Sequence, residues 1–270
     1  MEDILKTYHL NRQPFPRTDP DSTKRFESYD LKNALGIIRY TMEELGICAI
    51  YGDTGRGVSY TAHCAAISPS SANFTVKYIP CCHVCPRDMY KETCHVIGAS
   101  PQGHGRQEMI TAIRDTARSL KQQGRPLFLM LDNAQNLPDL FFRDLMTMVN
   151  EDFGQENLML LLLCGNKNLK YRLVQPEHKG MYDSLAAHWE FGGFSEEECR
   201  AYVSQRLKSA GSSMDIVSNE VLSQLYDLSG RGSCRELSNL MRDALLIGAQ
   251  AGCPVIDMNV IRSAVKHREL

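Results

Sequence analysis

Short apolar runs that alternate with helix-length polar segments constrain the fold of this chain more than any other feature. Four runs of strand length fall at residues 47–51, 74–79, 127–131 and 158–164. Between the second and the third of these runs, residues 106–121 space their apolar side chains along one helical stripe. Strands that alternate with amphipathic helices are typical of a parallel sheet covered by helices on both faces. The middle of the chain is therefore predicted to be α/β.

The two flanks of this α/β region differ from it. Residues 18–23 are polar and predicted to be irregular, and they precede a helix whose apolar positions between Leu31 and Met42 share one face. After residue 193 no strand pattern remains, and the spacing predicts three or four helices, the first opened by a capping box of Ser195 and Glu198. We expect an N-terminal segment with a first helix at 1–46, an α/β core at 47–193 and a helical subdomain at 194–270.

The composition is that of an ordinary globular protein. The 270 residues are 43% apolar and carry a formal net charge of −2, which excludes wholesale disorder and fibrous repeats. The longest apolar run, 158–164, is far shorter than the roughly 20 residues that a membrane-spanning helix needs. The acidic start does not resemble a secretory signal, so we expect a cytoplasmic protein whose ten cysteines are reduced thiols. A pI near 6.4 means that any contact with nucleic acid must come from a local patch or an assembled surface.

A glycine-rich octet directly follows the first predicted strand and precedes a predicted helix. Its residues are Gly52, Asp53, Thr54, Gly55, Arg56, Gly57, Val58 and Ser59. This spacing matches the phosphate-binding loop G-x-x-x-x-G-K-[ST], in which backbone N–H groups face the phosphates and the hydroxyl binds magnesium. Val58 replaces the lysine that contacts the β- and γ-phosphates, whereas Ser59 keeps the hydroxyl. The octet predicts a nucleotide site, with a glycine-rich turn that binds no ligand as the alternative.

An acid stands at the end of the third predicted strand, as in a Walker B motif. Asp132 is placed to hold magnesium through water, and with Ser59 it forms the predicted metal site. The next position, where hydrolytic enzymes of this kind carry a glutamate that polarises the attacking water, is Asn133. An amide cannot take up a proton. Asp-Asn alone is a common turn dipeptide, but the glycine loop upstream favours the functional interpretation.

Seven motifs run along nearly the whole chain. They are Tyr8-x-Leu10-x-x-x-Pro14-Phe15, the glycine loop, residues 132–137, residues 161–166, Phe194-Ser195-x-Glu197-Glu198, residues 202–211, and Gly232-Ser233-Cys234-Arg235 with Asn239-Leu240. In this order they resemble the AAA+ ATPases of the ExeA and transposition-regulator group, the relatives of the IstB, TniB and TnsC proteins. The resemblance implies an AAA+ P-loop parallel sheet sandwiched by helices and followed by an all-helical lid.

The same resemblance implies cofactors, partners and roles for individual residues. ATP or ADP with Mg²⁺ would be bound, Asn166 matches the polar sensor 1 residue, and Arg235 matches the sensor 2 arginine that reaches the γ-phosphate. The implied partners are DNA, a transposase or other recombinase, and further copies of the chain in a ring or filament.

Departures from the family pattern fall on catalytic positions. Besides Val58 and Asn133, Ser184 stands where the family carries its arginine finger, which contributes about 10³ to 10⁵ in rate. We therefore expect ATP hydrolysis to be impaired or absent and nucleotide binding to be weakened, with Asn133, Asn166 and Arg235 as the remaining candidate catalytic residues. An active ATPase remains the alternative, a secretion or DNA-transaction motor in which Arg56, Arg231 or Lys179 supplies the missing charge. A decayed module without a ligand, and a partner ATPase that completes a mixed ring, also remain open.

Two further patterns have functional interpretations. The candidates for contact with a phosphate backbone are Arg87, Lys91, Arg106 and Arg114 after the second strand, and Lys167, Lys170 and Arg172 after the fourth. Cys81-Cys82-His83-x-Cys85 with Cys94-His95 includes a ligand spacing known from zinc sites, but the adjacent Cys-His pair on a predicted helix disfavours such a site.

Overall fold

The computed structural model describes residues 2–17, 25–82, 85–151, 156–212 and 214–268. Residues 18–23, predicted to be irregular, lie outside these ranges. The strands are β1 Gly46–Gly52, β2 Thr75–Pro80, β3 Leu127–Asp132, β4 Asn150–Glu151, β5 Glu156–Asn157, β6 Met159–Gly165 and β7 Leu185–Phe191. The helices are α1 Glu2–Thr7, α2 Tyr29–Glu44, α3 Val58–Ala66, α4 Pro86–Ile97, α5 Arg106–Gln122, α6 Asp139–Val149, α7 Lys167–Leu173, α8 Lys179–Asp183, α9 Glu196–Ser209, α10 Asn219–Leu228, α11 Cys234–Gln250 and α12 Met258–Arg268.

Five of these strands form a parallel sheet in the order β2-β3-β6-β1-β7. The three central strands β3, β6 and β1 are buried along their whole length, which is why they read as continuous apolar runs. One apolar core lies on each face of the sheet, and the two side-chain sets alternate along the strands. The predicted α/β class is confirmed.

Strand β7 was not predicted, because it has no apolar run. It pairs with β1 at the edge of the sheet, and its side chains from Leu185 to Glu190 alternate between half-buried and exposed. An edge strand has a neighbour on one side only, so a mixed sequence that includes His188 and Glu190 is compatible with it.

The chain packs into two compact units. The sheet unit consists of 31–53 and 58–191, and the helical unit consists of the described residues of 1–30, Thr54–Gly57 and 192–268. The helical unit has its own apolar core, to which the N-terminal Ile4, Tyr8 and Phe15 contribute together with α9 to α12. Helix α9 begins with the predicted capping box, in which the Ser195 side chain accepts from the Glu198 N–H. Among the helices that the structure describes, none combines the length and the apolar character that a membrane span needs.

Candidate functional site

The two residues predicted to share a magnesium ion are in contact. Asp132 ends β3 and is 5% exposed, and the exposed Ser59 is the second residue of α3. The Ser59 Oγ donates a hydrogen bond to Asp132 Oδ1 at 3.1 Å. A hydroxyl oxygen beside a carboxylate is a donor set that fits Mg²⁺, so the residues present are compatible with the predicted metal.

Tyr78 is a third member of this cluster that the sequence analysis missed. Its hydroxyl donates to Asp132 Oδ2 at 2.9 Å, while the Asn133 N–H donates to Asp132 Oδ1 at 2.9 Å. Burial and the hydrogen bond to Asp132 raise the pKa of Tyr78, so the hydroxyl stays protonated and continues to donate. Tyr78 reaches Asp132 because β2 lies beside β3, with Tyr78 opposite Met130 in the register.

A chain of amides links Asn133 to the end of β6. Asn133 is exposed and adopts a left-handed backbone with φ of 58°, and its Oδ1 accepts from Gln135 Nε2 at 3.4 Å. The Gln135 Oε1 accepts from the Asn166 N–H at 3.2 Å. The Asn166 side chain caps α7, because its Oδ1 accepts from the Asn168 N–H at 2.9 Å. These linked side chains are all amides, so none of them can act as a general base.

The first residues of the glycine loop lie close to β7 and to the end of β6. A Cβ at Gly52 would lie 2.6 Å from the Cβ of Phe191, so only glycine fits there. Asp53 forms an ion pair with Lys167, with 2.7 Å between the Asp53 Oδ2 and the Lys167 Nζ. Val58 begins α3 and packs against the apolar core of the sheet unit instead of presenting a charge.

The middle of the loop, Thr54–Gly57, belongs to the helical unit and contacts the start of α11. The Gly55 carbonyl accepts hydrogen bonds from the Arg235 N–H at 3.2 Å and from the Cys234 Sγ at 2.9 Å. Gly55 has φ of +85°, and a Cβ there would lie 2.7 Å from the Ser233 Oγ. Glycine is therefore required both by its backbone conformation and by the closeness of its neighbours.

Arg56, one candidate for a relocated phosphate contact, is engaged elsewhere. Its guanidinium donates to the carbonyl of Arg231, and also to that of Gly230 at 3.4 Å. Arg231 itself is exposed and left-handed, with φ of 57°. The Arg231 and Arg235 side chains are exposed and form no ion pair with any described residue. Arg235 thus remains available for an anion, whereas Arg56 serves the packing of the helical unit.

Ser184, at the arginine-finger position, directly follows α8 as its C-cap residue. Its Oγ donates to the Met181 carbonyl at 2.9 Å, and its backbone N–H bonds within the same turn. Lys179, the remaining candidate for relocated charge, begins α8 and is exposed. The Ser184 side chain is neutral and holds its own helix, so it cannot replace a guanidinium.

Five of the seven cations considered for DNA contact are paired with carboxylates. The pairs are Arg106 with Asp144, Arg114 with Glu151, Lys167 with Asp53, Lys170 with Glu190, and Arg172 with Asp139. Arg87 and Lys91 lie one helical turn apart on α4, are exposed, and have no ion pair within the described ranges. Of these seven cations, the two on α4 are therefore the ones without an ion pair in the part of the chain that the structure describes.

The cysteine cluster after β2 is not assembled as a metal site among the residues that the structure describes. Cys81 is buried, Cys82 and Cys85 are exposed free thiols, and the Cys85 Sγ donates to Asp88. No group of three or more potential metal ligands occurs in that part of the chain. His83 lies outside it, so the zinc interpretation stays a hypothesis.

Comparison with known proteins identifies the central part of the chain. Residues 41–173 match the family described as AAA domain. General secretion pathway protein A of Aeromonas hydrophila is 24% identical over 246 residues, which are 90% of this chain and 44% of that protein. The chain thus spans less than half the length of that relative.

Solved structures share the fold across nearly the whole chain. The crystal structure of Cdc6p from Pyrobaculum aerophilum superposes with a TM-score of 0.69 at 16% identity, over 94% of this chain and 68% of that one. The structure of Drosophila ORC bound to DNA gives a TM-score of 0.68 at 14% identity, over 99% of this chain and 66% of that one. Proteins with an AAA domain generally bind ATP or ADP with Mg²⁺. Residues 41–173 thus resemble an AAA domain, and the chain has the AAA+ fold.

Proposed function

We propose that this chain is an AAA+ module that binds ATP with Mg²⁺ and hydrolyses it slowly or not at all. The observation that carries the proposal is the hydrogen bond of 3.1 Å between the Ser59 Oγ and Asp132 Oδ1, which brings the two predicted magnesium ligands together. The glycine loop, with left-handed residues at Gly55 and Gly57, supports phosphate binding by backbone N–H groups.

We expect slow hydrolysis because the residues at three catalytic positions lack the required chemical groups. Val58 carries no ammonium, the Asn133 amide cannot accept a proton, and the Ser184 hydroxyl donates within α8. Residues that act as a unit in catalysis lose most of the rate when any one of them is removed. With three missing, binding through the loop amides, Ser59 and Asp132 survives better than turnover does.

Equilibrium titration with ATP in the presence and absence of Mg²⁺ tests the proposal. Wild type should bind more tightly with Mg²⁺, and Asp132→Asn should remove that difference because it removes the charge on the predicted metal ligand. Asp183→Asn, at an exposed acid at the end of α8, is the matched control and should behave as wild type. Absence of ATP binding to wild type, or a Mg²⁺ effect that Asp132→Asn leaves intact, would contradict the proposal.

For partners, we infer that the module associates with itself and acts on DNA with a transposase or other recombinase. The seven motifs shared with transposition regulators support this assignment, as does a fold shared with Drosophila ORC, which was solved bound to DNA. A ring or filament adds one or two cations per copy, so a chain of net charge −2 can still contact many phosphates. Since Ser184 removes the arginine that links neighbouring copies through the γ-phosphate, we expect assembly to depend little on ATP, which sedimentation with and without ATP measures.

Arg87 and Lys91 give the DNA assignment a specific test. Replacing both by Ala should reduce the slope of log affinity against log salt by about 2, because each contact with a phosphate contributes about 0.9. Lys170→Gln, which changes a lysine already paired with Glu190, is the control and should leave the slope unchanged. No salt-dependent DNA binding by wild type would refute the assignment.

A second candidate function is that of an ExeA-like module in secretion. The 24% identity to General secretion pathway protein A over 90% of this chain favours it. The two functions separate in the DNA titration, because a secretion module has no need of a salt-dependent affinity for DNA.

A further inference from the structure

The glycine loop lacks its lysine and also carries an acid. Val58 occupies the lysine position, and Asp53 is the second residue of the loop. The triphosphate of ATP carries several negative charges, which a nearby carboxylate repels. A cation that neutralises Asp53 and contacts phosphate would therefore favour nucleotide binding at this loop.

Lys167 lies at this place because of the strand register. Parallel strands β1 and β6 are neighbours, with Tyr51 opposite Gly165. Two residues beyond this pair, at the same edge of the sheet, stand Asp53 and Lys167, with 2.7 Å between the Asp53 Oδ2 and the Lys167 Nζ. The side chains are 46% and 42% exposed, so the pair is open to solvent and to an incoming anion.

We propose that Lys167 supplies the ammonium that Val58 lacks, and that Asp53 holds this ammonium at the loop in the ligand-free protein. A lysine at the end of a flexible four-carbon stem suits a phosphate oxygen, to which it binds as a point charge. An exposed ion pair is weak enough to exchange its carboxylate for a phosphate, which carries more charge. Asp53 therefore positions Lys167 and competes with nucleotide for it.

Other cations near the sheet edge are less suited to this role. The Lys170 ammonium is 2.5 Å from the Glu190 carboxylate, and the Arg172 guanidinium is 2.6 Å from that of Asp139, so both are paired with carboxylates outside the loop. Of the ion pairs in the described ranges, only that of Lys167 includes a loop residue.

The inference rests on the proposed nucleotide binding and makes predictions of opposite sign for the two partners. Lys167→Gln should weaken ATP binding about tenfold or more, since it removes a charged hydrogen-bond donor. Asp53→Asn should strengthen ATP binding, because it removes a repelling charge and releases Lys167. Lys170→Gln is the matched control and should bind as wild type. In the Lys167→Gln background, Val58→Lys should restore affinity.

Isothermal titration with ATP, with the thermal unfolding midpoint of each ligand-free variant alongside, separates the outcomes. If the pair were only structural, Lys167→Gln and Asp53→Asn would weaken binding alike and Val58→Lys would not restore it, which would overturn the inference. If wild type binds ATP and Lys167→Gln binds it equally well, the inference is overturned and the proposed function is not. A wild type that binds no ATP would overturn the proposed function, and this inference with it.

Discussion

Replacing Gly55 by Ala tests the packing of the glycine loop within the helical unit. Gly55 has φ of +85°, where an L-residue costs about 1–2 kcal/mol. The new Cβ would also lie 2.7 Å from the Ser233 Oγ and 3.1 Å from the Arg235 Cβ, and relief of such overlaps typically costs about 1–3 kcal/mol. Because alanine also stiffens the unfolded chain, we expect the free energy of unfolding to fall by about 2–4 kcal/mol.

Gly252 provides the matched control for this substitution. It belongs to the same helical unit and has φ of +66°, but a Cβ there would meet nothing within 4 Å. Gly252→Ala should therefore lose only the backbone contribution, about 1 kcal/mol. Urea denaturation followed by far-UV circular dichroism gives both losses, and hydrogen exchange at 54–57 and 233–237 localises them. Equal losses in the two variants would refute the packing of Gly55 against the start of α11.

Two further predictions concern acid stability and turnover. Burial alone would raise the pKa of Asp144, but hydrogen bonds from Arg106 and Tyr90 hold it below its ordinary value of 3.8. A carboxylate with a lowered pKa stabilises the fold at pH values above that pKa. In urea titrations at several pH values, Asp144→Asn should therefore be less stable than wild type near neutrality, and the difference should close as the pH falls below about 4. A difference in stability that does not change with pH would contradict the ion pair. Changing Val58→Lys, Asn133→Glu and Ser184→Arg together should raise steady-state phosphate release more than any single change, because such groups act as a unit; a single change as effective as the triple would contradict this reasoning.

Much of the sheet could be predicted from the sequence because its central strands are buried on both faces. Strands β1, β3 and β6 are continuous apolar runs in the sequence for that reason. Strand β7 at the edge of the sheet is only partly buried, so it has no apolar run and was not predicted. The Ser59–Asp132 contact was predictable as well, because each residue stands near the carboxyl end of a parallel strand and such ends share one edge of the sheet.

Contacts that depend on the order of strands in the sheet could not be predicted from the sequence. Tyr78 meets Asp132 only because β2 is the neighbour of β3, and Lys167 meets Asp53 only because β6 is the neighbour of β1. The spacing of residues within a strand or helix does not show which strands are neighbours in the sheet. Similarly, the ion pairs of Arg106 and other cations join residues far apart in sequence. The sequence alone therefore could not distinguish cations that are free from cations that are paired with a carboxylate.

Whether bound ATP is hydrolysed separates a binding module from a working ATPase. Protein in large excess over ATP labelled at the γ-phosphate would be mixed with Mg²⁺ and quenched in acid at intervals, and the ratio of ATP to ADP measured. We expect the nucleotide to be recovered as ATP, because the chain keeps Ser59 and Asp132 but lacks a base at Asn133. Conversion of the bound ATP to ADP and phosphate at the rate of an AAA+ motor would contradict this expectation.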